Sequence, residues 1–288
     1  MNRITEEELI KNFSDHGICP GDTILVRANL GAIGRIIGGA DTFIRALLKT
    51  VGEEGTIISL AFTSSRFIKK PKIEDAFDVR KKSYAGALPN TMLDYVGAHR
   101  STHPTCSYVA IGKHAEFLTK KHNETSPAYE PIREIINLNG KCMLIGCVDN
   151  SPGFTTTHLA EIDLNLSSLI IFPQLHSTYC KLPNGDIKLI RRKDLGLCSN
   201  SYYKFYSLYV RHGILRTGNV GNAYSIIAMA KECYKIDLET LKENSKFNIC
   251  QCNLCFTCNA GRWDRLHYAP LYFIRLLLKS LKDRQVKK

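Results

Sequence analysis

The chain has no run of apolar residues near the roughly 18 that a membrane-spanning helix requires, so no such helix is expected. Behind Met1-Asn-Arg-Ile-Thr-Glu-Glu-Glu8 there is no apolar core of a signal peptide, and residence in the cytosol is expected. Signatures of nucleic-acid-binding modules, such as a homeodomain or an RNA-recognition motif, are missing, and nucleic acid is not expected as a partner. No internal repeat is evident. Acidic residues are in deficit: 27 Asp and Glu face 39 Lys and Arg, a net charge of +12. An excess of that size suits an anionic partner, such as a phosphorylated cofactor or a membrane surface. Cysteine is not scarce. Eleven of them, an odd number in a chain expected in the cytosol, read as reduced thiols or metal ligands rather than a disulfide framework. The 288 residues suffice for one large or two small domains with ample core.

The most informative stretch runs from Gly140 to Glu161. Cys142 to Val148 is an apolar run of strand length, bounded by glycine on one side and polar residues on the other. A Pro-Gly turn at Pro152-Gly153 and the cluster Thr155-Thr156-Thr157 follow, a loop closing on a helix start. In that helix His158 and Glu161 stand three positions apart and share a face. A strand therefore delivers a loop that presents a base and a carboxylate, at the carboxyl end where open α/β sheets place their sites.

Elsewhere the pattern alternates in the same way. Thr5 to His16 reads as an amphipathic helix, Thr23 to Val26 as a buried strand, Thr42 to Val51 as a helix and Ile57 to Phe62 as a strand. The loop between Arg27 and Asp41 carries several glycines, a composition suited to cradling a phosphate or an amide-rich chain. Ser64 to Arg80 is lysine-rich and lacks apolar period, so a surface loop is expected. A helix is predicted from Pro89 to Val96, a strand up to Gly112 and a helix from Pro131 to Leu138. Leu169 to Phe172 and Gly185 to Ile190 are predicted strands, with Pro183-Asn184-Gly185 as a hairpin turn. Phe205 to His212 reads as a helix, Gly213 to Gly221 as a loop and Ala223 to Tyr234 as a further helix.

Three of these places carry a resemblance to the aminoglycoside 3-N-acetyltransferase family. Leu144-Ile145-Gly146, Asp149, Thr155 to Thr157 and His158-Leu-Ala-Glu161 match its strand, Thr-rich loop and His-Leu-Ala-Glu. Arg100-Ser101-Thr-His103-Pro104-Thr-Cys-Ser107 matches its Arg-Ser-x-His-Pro-x-x-Ser, and Gly218-Asn-Val-Gly221-Asn-Ala223 its Gly-x-x-Gly-x-Ala. The similarity extends from about Thr5 to Asp237. It implies an α/β fold, an α/β/α sandwich with a mixed central sheet, using acetyl-CoA or another acyl-CoA as co-substrate. By the same resemblance, Asn29, Leu30 and Gly31 meet the pantetheine arm, Arg100 and Ser101 hold phosphate or pantetheine oxygens, and Ser107 donates near the thioester. His103 either takes part or fixes a rigid turn with Pro104. The chain departs from the family at Arg27-Ala-Asn-Leu30, where His-Ser-Ser-Leu is usual, and at Leu60-Ala-Phe62, where Pro-Thr-Phe is usual.

The expected reaction moves an acyl group from a coenzyme A thioester to a primary amine of an amino sugar. His158 is the expected general base, with Glu161 or Asp149 orienting its imidazole. Because the chain is basic and Phe67-Ile-Lys-Lys-Pro-Lys72 adds lysines at the expected acceptor loop, a nucleotide-linked amino sugar for surface polysaccharide synthesis is the expected acceptor. The alternatives are an aminoglycoside acceptor, as in antibiotic resistance, and a non-catalytic binding protein on a decayed fold. The oligomeric state is open, a dimer included.

Two units are expected, residues 1–237 and a Cys-rich, basic extension over residues 238–288. In the extension Cys250, Cys252, Cys255 and Cys258 have spacings suited to thiolate ligands of zinc or an iron–sulfur cluster. Cys250 stands too close to Cys252 for both to reach one ion easily, so a distant residue is an alternative fourth ligand. Leu271 to Leu281 reads as a basic amphipathic helix expected to pack on its own domain, with peripheral membrane contact as the alternative.

Overall fold

The computed structural model describes residues 3–182, 184–193 and 196–286. Seven strands form one mixed sheet in the order Arg216–Val220, Ala223–Met229, Lys141–Ile145, Thr23–Ala28, Thr56–Leu60, Tyr108–Gly112 and His99–Arg100. Thr23–Ala28 runs parallel to both its neighbours, and every other pair in this sheet is antiparallel. Helices cover both faces, which is why the inner strands read as largely apolar runs.

Side chains alternate across the sheet. Leu25, Ile58, Ala110, Leu144 and Ile226 enter one core, together with Ile132, Leu159, Phe205 and Ile236 from helices Glu130–Asn137, Thr156–Asp163, Lys204–Arg211 and Ala230–Glu243. Ile24, Val26, Ile57, Val109 and Met143 enter the other, against Leu9 and Phe13 of helix Glu6–Asp15 and Phe43 and Leu47 of helix Gly39–Val51. The molecule is thus an α/β/α sandwich about a mixed sheet. The first helix starts on a reciprocal cap: Glu8 N donates to Thr5 Oγ1 (3.2 Å) and Thr5 N to Glu8 Oε2 (2.8 Å).

Four expectations are corrected. Ala223–Met229 is a strand, and the helix begins only at Ala230. A short, fully buried apolar run has no period to separate strand from helix, and pairing with Lys141–Ile145 decides it. The preceding glycine-marked loop contains the edge strand Arg216–Val220. Leu169–Phe172 is not a strand: a 3₁₀ turn ends at Leu169, only Ile170 bridges to Arg262, and Phe172 takes φ 49° before Pro173. The final helix, Ala269–Val286, packs on its own domain at Tyr272, whose ring meets Phe256, but leaves most of its apolar side chains uncovered. Leu271, Phe273, Ile274, Leu276, Leu277 and Leu278 are exposed, and Tyr272 is buried. Its aliphatics are spread around the axis instead of forming one stripe.

The predicted hairpin pairs His176–Lys181 with Ile187–Arg191; Pro183 of its turn lies outside the described residues. No helix among the described residues is long and apolar enough to cross a membrane. The helix Ala230–Glu243 runs unbroken through residue 237, where the expected boundary between two units falls.

Candidate active site

Lys141–Ile145 ends at Gly146, whose φ of 62° and contact with the neighbouring loop exclude a larger residue: a Cβ there would lie 2.6 Å from Ala32 Cβ. The chain then loops to the helix Thr156–Asp163. Arg27 reaches this loop and donates from Nη2 to the carbonyls of Ser151 and Gly153. It therefore holds the loop that precedes the candidate base.

His158 and Glu161 face each other across one turn, with Nδ1 3.0 Å from Oε2. The imidazole stacks on Tyr129 (centroids 4.3 Å apart, planes at 15°) and meets the Tyr202 ring edge-on at 4.9 Å. The Glu161 side chain is 1% exposed, and four donors converge on it. Tyr202 OH (2.6 Å) and Asn248 Nδ2 donate to Oε1, while His158 Nδ1 and Leu197 N (3.3 Å) donate to Oε2. An ionised carboxylate, which only accepts, satisfies all four. Tyr202 stays a phenol, because burial and then the neighbouring Glu161 push its pKa well above the ordinary value. Its oxygen lies 2.7 Å from His158 Nδ1. With Nδ1 carrying the proton, Nε2 holds the free lone pair.

His158 lines a cavity of about 580 Å³, as do Asn29, Leu30 and Gly31. Leu30 and Gly31 open the four-residue helix Leu30–Ile33, whose first N–H groups have no intrahelical acceptor. The expected cradle and the expected base thus share one space. Cys147 also lines it; burial raises its thiol, so it is a poor nucleophile.

Other expected site residues lie elsewhere. Asp149 is exposed in the loop and does not line the cavity, and of the two carboxylates it is Glu161 that meets the imidazole. Arg100 is engaged by the protein's own backbone, donating to the carbonyls of Ala61 (2.9 Å), Val79 (3.0 Å) and Lys81 and to Ser107 Oγ (3.1 Å). Burial lowers its guanidinium to about 10. Ser107 Oγ donates to Ala61 O (2.7 Å), and Ser101 Oγ accepts from Tyr108 N (2.9 Å). None of the three lines the cavity; together they fix the turn around His103, whose Nδ1 accepts from Cys106 N at 2.9 Å. The lysines of the lysine-rich loop do not line the cavity either; Lys70 and Lys72 stand beside a separate depression.

Sequence reasoning missed Tyr202, Asn248 and Gly196. A Cβ on Gly196 would fall 2.7 Å from His158 Cε1, so the imidazole's position requires glycine there. Among the cysteines, the sulfurs of Cys198, Cys250, Cys255 and Cys258 lie within 4.8 Å of one another. Cys252, expected in this set, is exposed outside it, and Cys198 takes its place.

Behind the base, Thr156 Oγ1 (2.7 Å) and Thr157 Oγ1 (3.1 Å) donate to Asp237 Oδ2, and Tyr209 OH donates to Oδ1 (2.5 Å). Burial pushes this carboxyl up to about 7 against those hydrogen bonds, with Glu161 adding to the rise. The folded state then keeps a proton that the unfolded chain releases near the ordinary value of about 3.9. This contribution to stability is full below that value and is lost as pH rises to about 7. Urea unfolding at pH 5 and pH 8 should therefore show the wild type losing more stability with rising pH than Asp237→Asn; parallel losses would refute the assignment.

A family model described as aminoglycoside 3-N-acetyltransferase matches residues 25–242. An aminoglycoside N(3)-acetyltransferase III of Salmonella is 33% identical over 162 residues, which cover 50% of this chain and 56% of the relative. The match thus spans about half the length of that relative. Two solved structures share the fold. AAC-IIIb, as a binary complex with CoASH, superposes with TM-score 0.69 at 24% identity, covering 84% of this chain and 97% of that one. Aminoglycoside acetyltransferase AAC(3)-IVa, as apoenzyme, superposes with TM-score 0.75 at 19% identity, covering 91% and 98%.

Proposed function

Since the chain belongs to the aminoglycoside 3-N-acetyltransferase family, we propose that it moves an acetyl group from acetyl-coenzyme A to a primary amine of an aminoglycoside. The observation that carries this reading is the His158–Glu161–Tyr202 set beside the Asn29–Gly31 cradle on one cavity. A primary amine is mostly protonated near neutrality and is no nucleophile until it loses a proton. That first proton passes to solvent; His158 Nε2 takes a second one from the nitrogen as it attacks the thioester carbonyl, and Glu161 stabilises the imidazolium. The N–H groups of Leu30 and Gly31 face the negative charge that develops on the carbonyl oxygen. Collapse of the tetrahedral adduct breaks the carbon–sulfur bond, and the imidazolium returns its proton to the departing thiolate. No covalent enzyme intermediate is needed.

The family match favours an aminoglycoside over the nucleotide-linked amino sugar expected from net charge. One observation keeps the second reading in view. The described residues lining the cavity include Arg27 but no carboxylate, whereas a polycationic acceptor is best held by carboxylates. A thiol-release assay with acetyl-coenzyme A separates the two. Turnover of gentamicin or kanamycin is expected; turnover of a nucleotide-linked amino sugar alone would establish the second reading, and turnover of neither would overturn both.

A further inference from the structure

Four cysteine sulfurs converge at a place where the chain has little regular secondary structure. Cys198 arrives from the segment before Tyr202, and Cys250, Cys255 and Cys258 come from a loop whose only regular element is the four-residue helix Phe256–Asn259. The groups this loop buries are mainly thiols and polar side chains, among them Asn248, Cys250, Cys258 and Asn259. A loop so poor in buried aliphatics needs another source of order. Its backbone is already arranged around the sulfurs. Cys250 N donates to Cys258 Sγ at 3.5 Å, and Asn259 Nδ2 donates to the carbonyls of Cys252 and Cys255, both at 2.9 Å.

We propose that Cys198, Cys250, Cys255 and Cys258 bind one zinc ion as a tetrathiolate clip, and that this clip positions Glu161 against His158. Zinc–sulfur bonds of about 2.3 Å place tetrahedral sulfurs about 3.8 Å apart. The observed spread, within 4.8 Å, closes onto one ion with small side-chain movements. An iron–sulfur cubane sets its four thiolates on four separate irons, which requires a wider arrangement. Binding releases the thiol protons and leaves four thiolates on Zn²⁺, with no change of oxidation state.

The link to the active site is direct. Three of the four donors on Glu161 come from the two segments the clip joins. Leu197 and Tyr202 flank Cys198, and Asn248 stands two residues before Cys250. Ser201 Oγ also donates to Asn248 O, so the two segments are already hydrogen-bonded to each other beside the sulfurs. The zinc assignment stands on the cysteines alone; the positioning role rests on the acyl-transfer reading.

The full chain, purified anaerobically, should contain about one zinc per molecule by elemental analysis. Cys198→Ser and Cys258→Ser should lose it, and Cys252→Ser should keep it. Should the serine variants fail to fold, wild-type protein stripped by a chelator should take up one equivalent of zinc, or of cobalt with the intense colour of tetrahedral thiolate ligation. Metal-free protein that takes up neither ion, an iron-containing protein, or equal loss in Cys252→Ser would overturn the site whatever the transfer assay shows. Stripping should lower kcat at least tenfold with the KM for acetyl-coenzyme A unchanged, and zinc should restore it. If zinc binds but stripping leaves kcat unchanged, the positioning role fails and the metal site stands.

Discussion

His158→Ala is expected to lower the proposed acetyl transfer by about 10²–10⁴-fold at pH 7, the usual cost of removing a general base, and to leave coenzyme A binding intact. The imidazole is held by Tyr129 on one face, by the edge of Tyr202, and by Glu161 at Nδ1, so the ring has one orientation and Nε2 one task. Alanine removes the lone pair without disturbing Asn29, Leu30 and Gly31, which lie on a different loop of the same cavity. Thiol release measures the first effect, and the thermal shift given by coenzyme A measures the second. A variant within a few-fold of wild-type turnover would show that the base is another group.

Glu161→Gln is expected to lower kcat on the order of 10²-fold, less than loss of the proposed base itself, with the KM for acetyl-coenzyme A unchanged. The two carboxylate oxygens each accept two hydrogen bonds. An amide must turn its NH₂ toward one of those pairs, placing donor against donor in a buried site at a cost of about 1–3 kcal/mol for the unsatisfied groups. If NH₂ faces His158, the proton on Nδ1 loses its acceptor and the ring no longer presents a defined tautomer. Steady-state kinetics and urea unfolding of the variant report both consequences. Wild-type kcat with reduced stability would leave Glu161 a purely structural role.

The contrast between His158 and its supports shows what the sequence makes legible. His158 and Glu161 lie one helical turn apart, so their meeting follows from local geometry alone. Tyr202, Asn248 and Gly196 reach the same imidazole or carboxylate through the tertiary fold, and nothing in their own neighbourhoods marks them. Arg100 illustrates the opposite error. An arginine in a matched motif invites an anionic ligand, yet here its donors close a loop through Ala61, Val79 and Lys81, contacts that no local pattern encodes. The sheet divides in the same manner. Thr23–Ala28 and Thr56–Leu60 are bounded by turn residues and could be read directly, whereas Ala223–Met229 became a strand only through its partner.

The central strand also sets the order in which the molecule can assemble. Ile24 pairs with Ile57 on one side and with Lys141 on the other, so its two edges are satisfied at very different stages of chain growth. Pairings so distant in sequence are slow to form, because the intervening chain must be ordered before they stabilise anything. During synthesis the edge of Thr23–Ala28 that will meet Lys141–Ile145 stays open until that segment emerges, an interval in which another strand can pair there wrongly. The helix bearing His158 follows soon afterwards, but Asn248 completes the hydrogen bonding of Glu161 much later. The nascent chain therefore carries His158 long before Asn248 emerges to complete the hydrogen bonds that hold Glu161 against it.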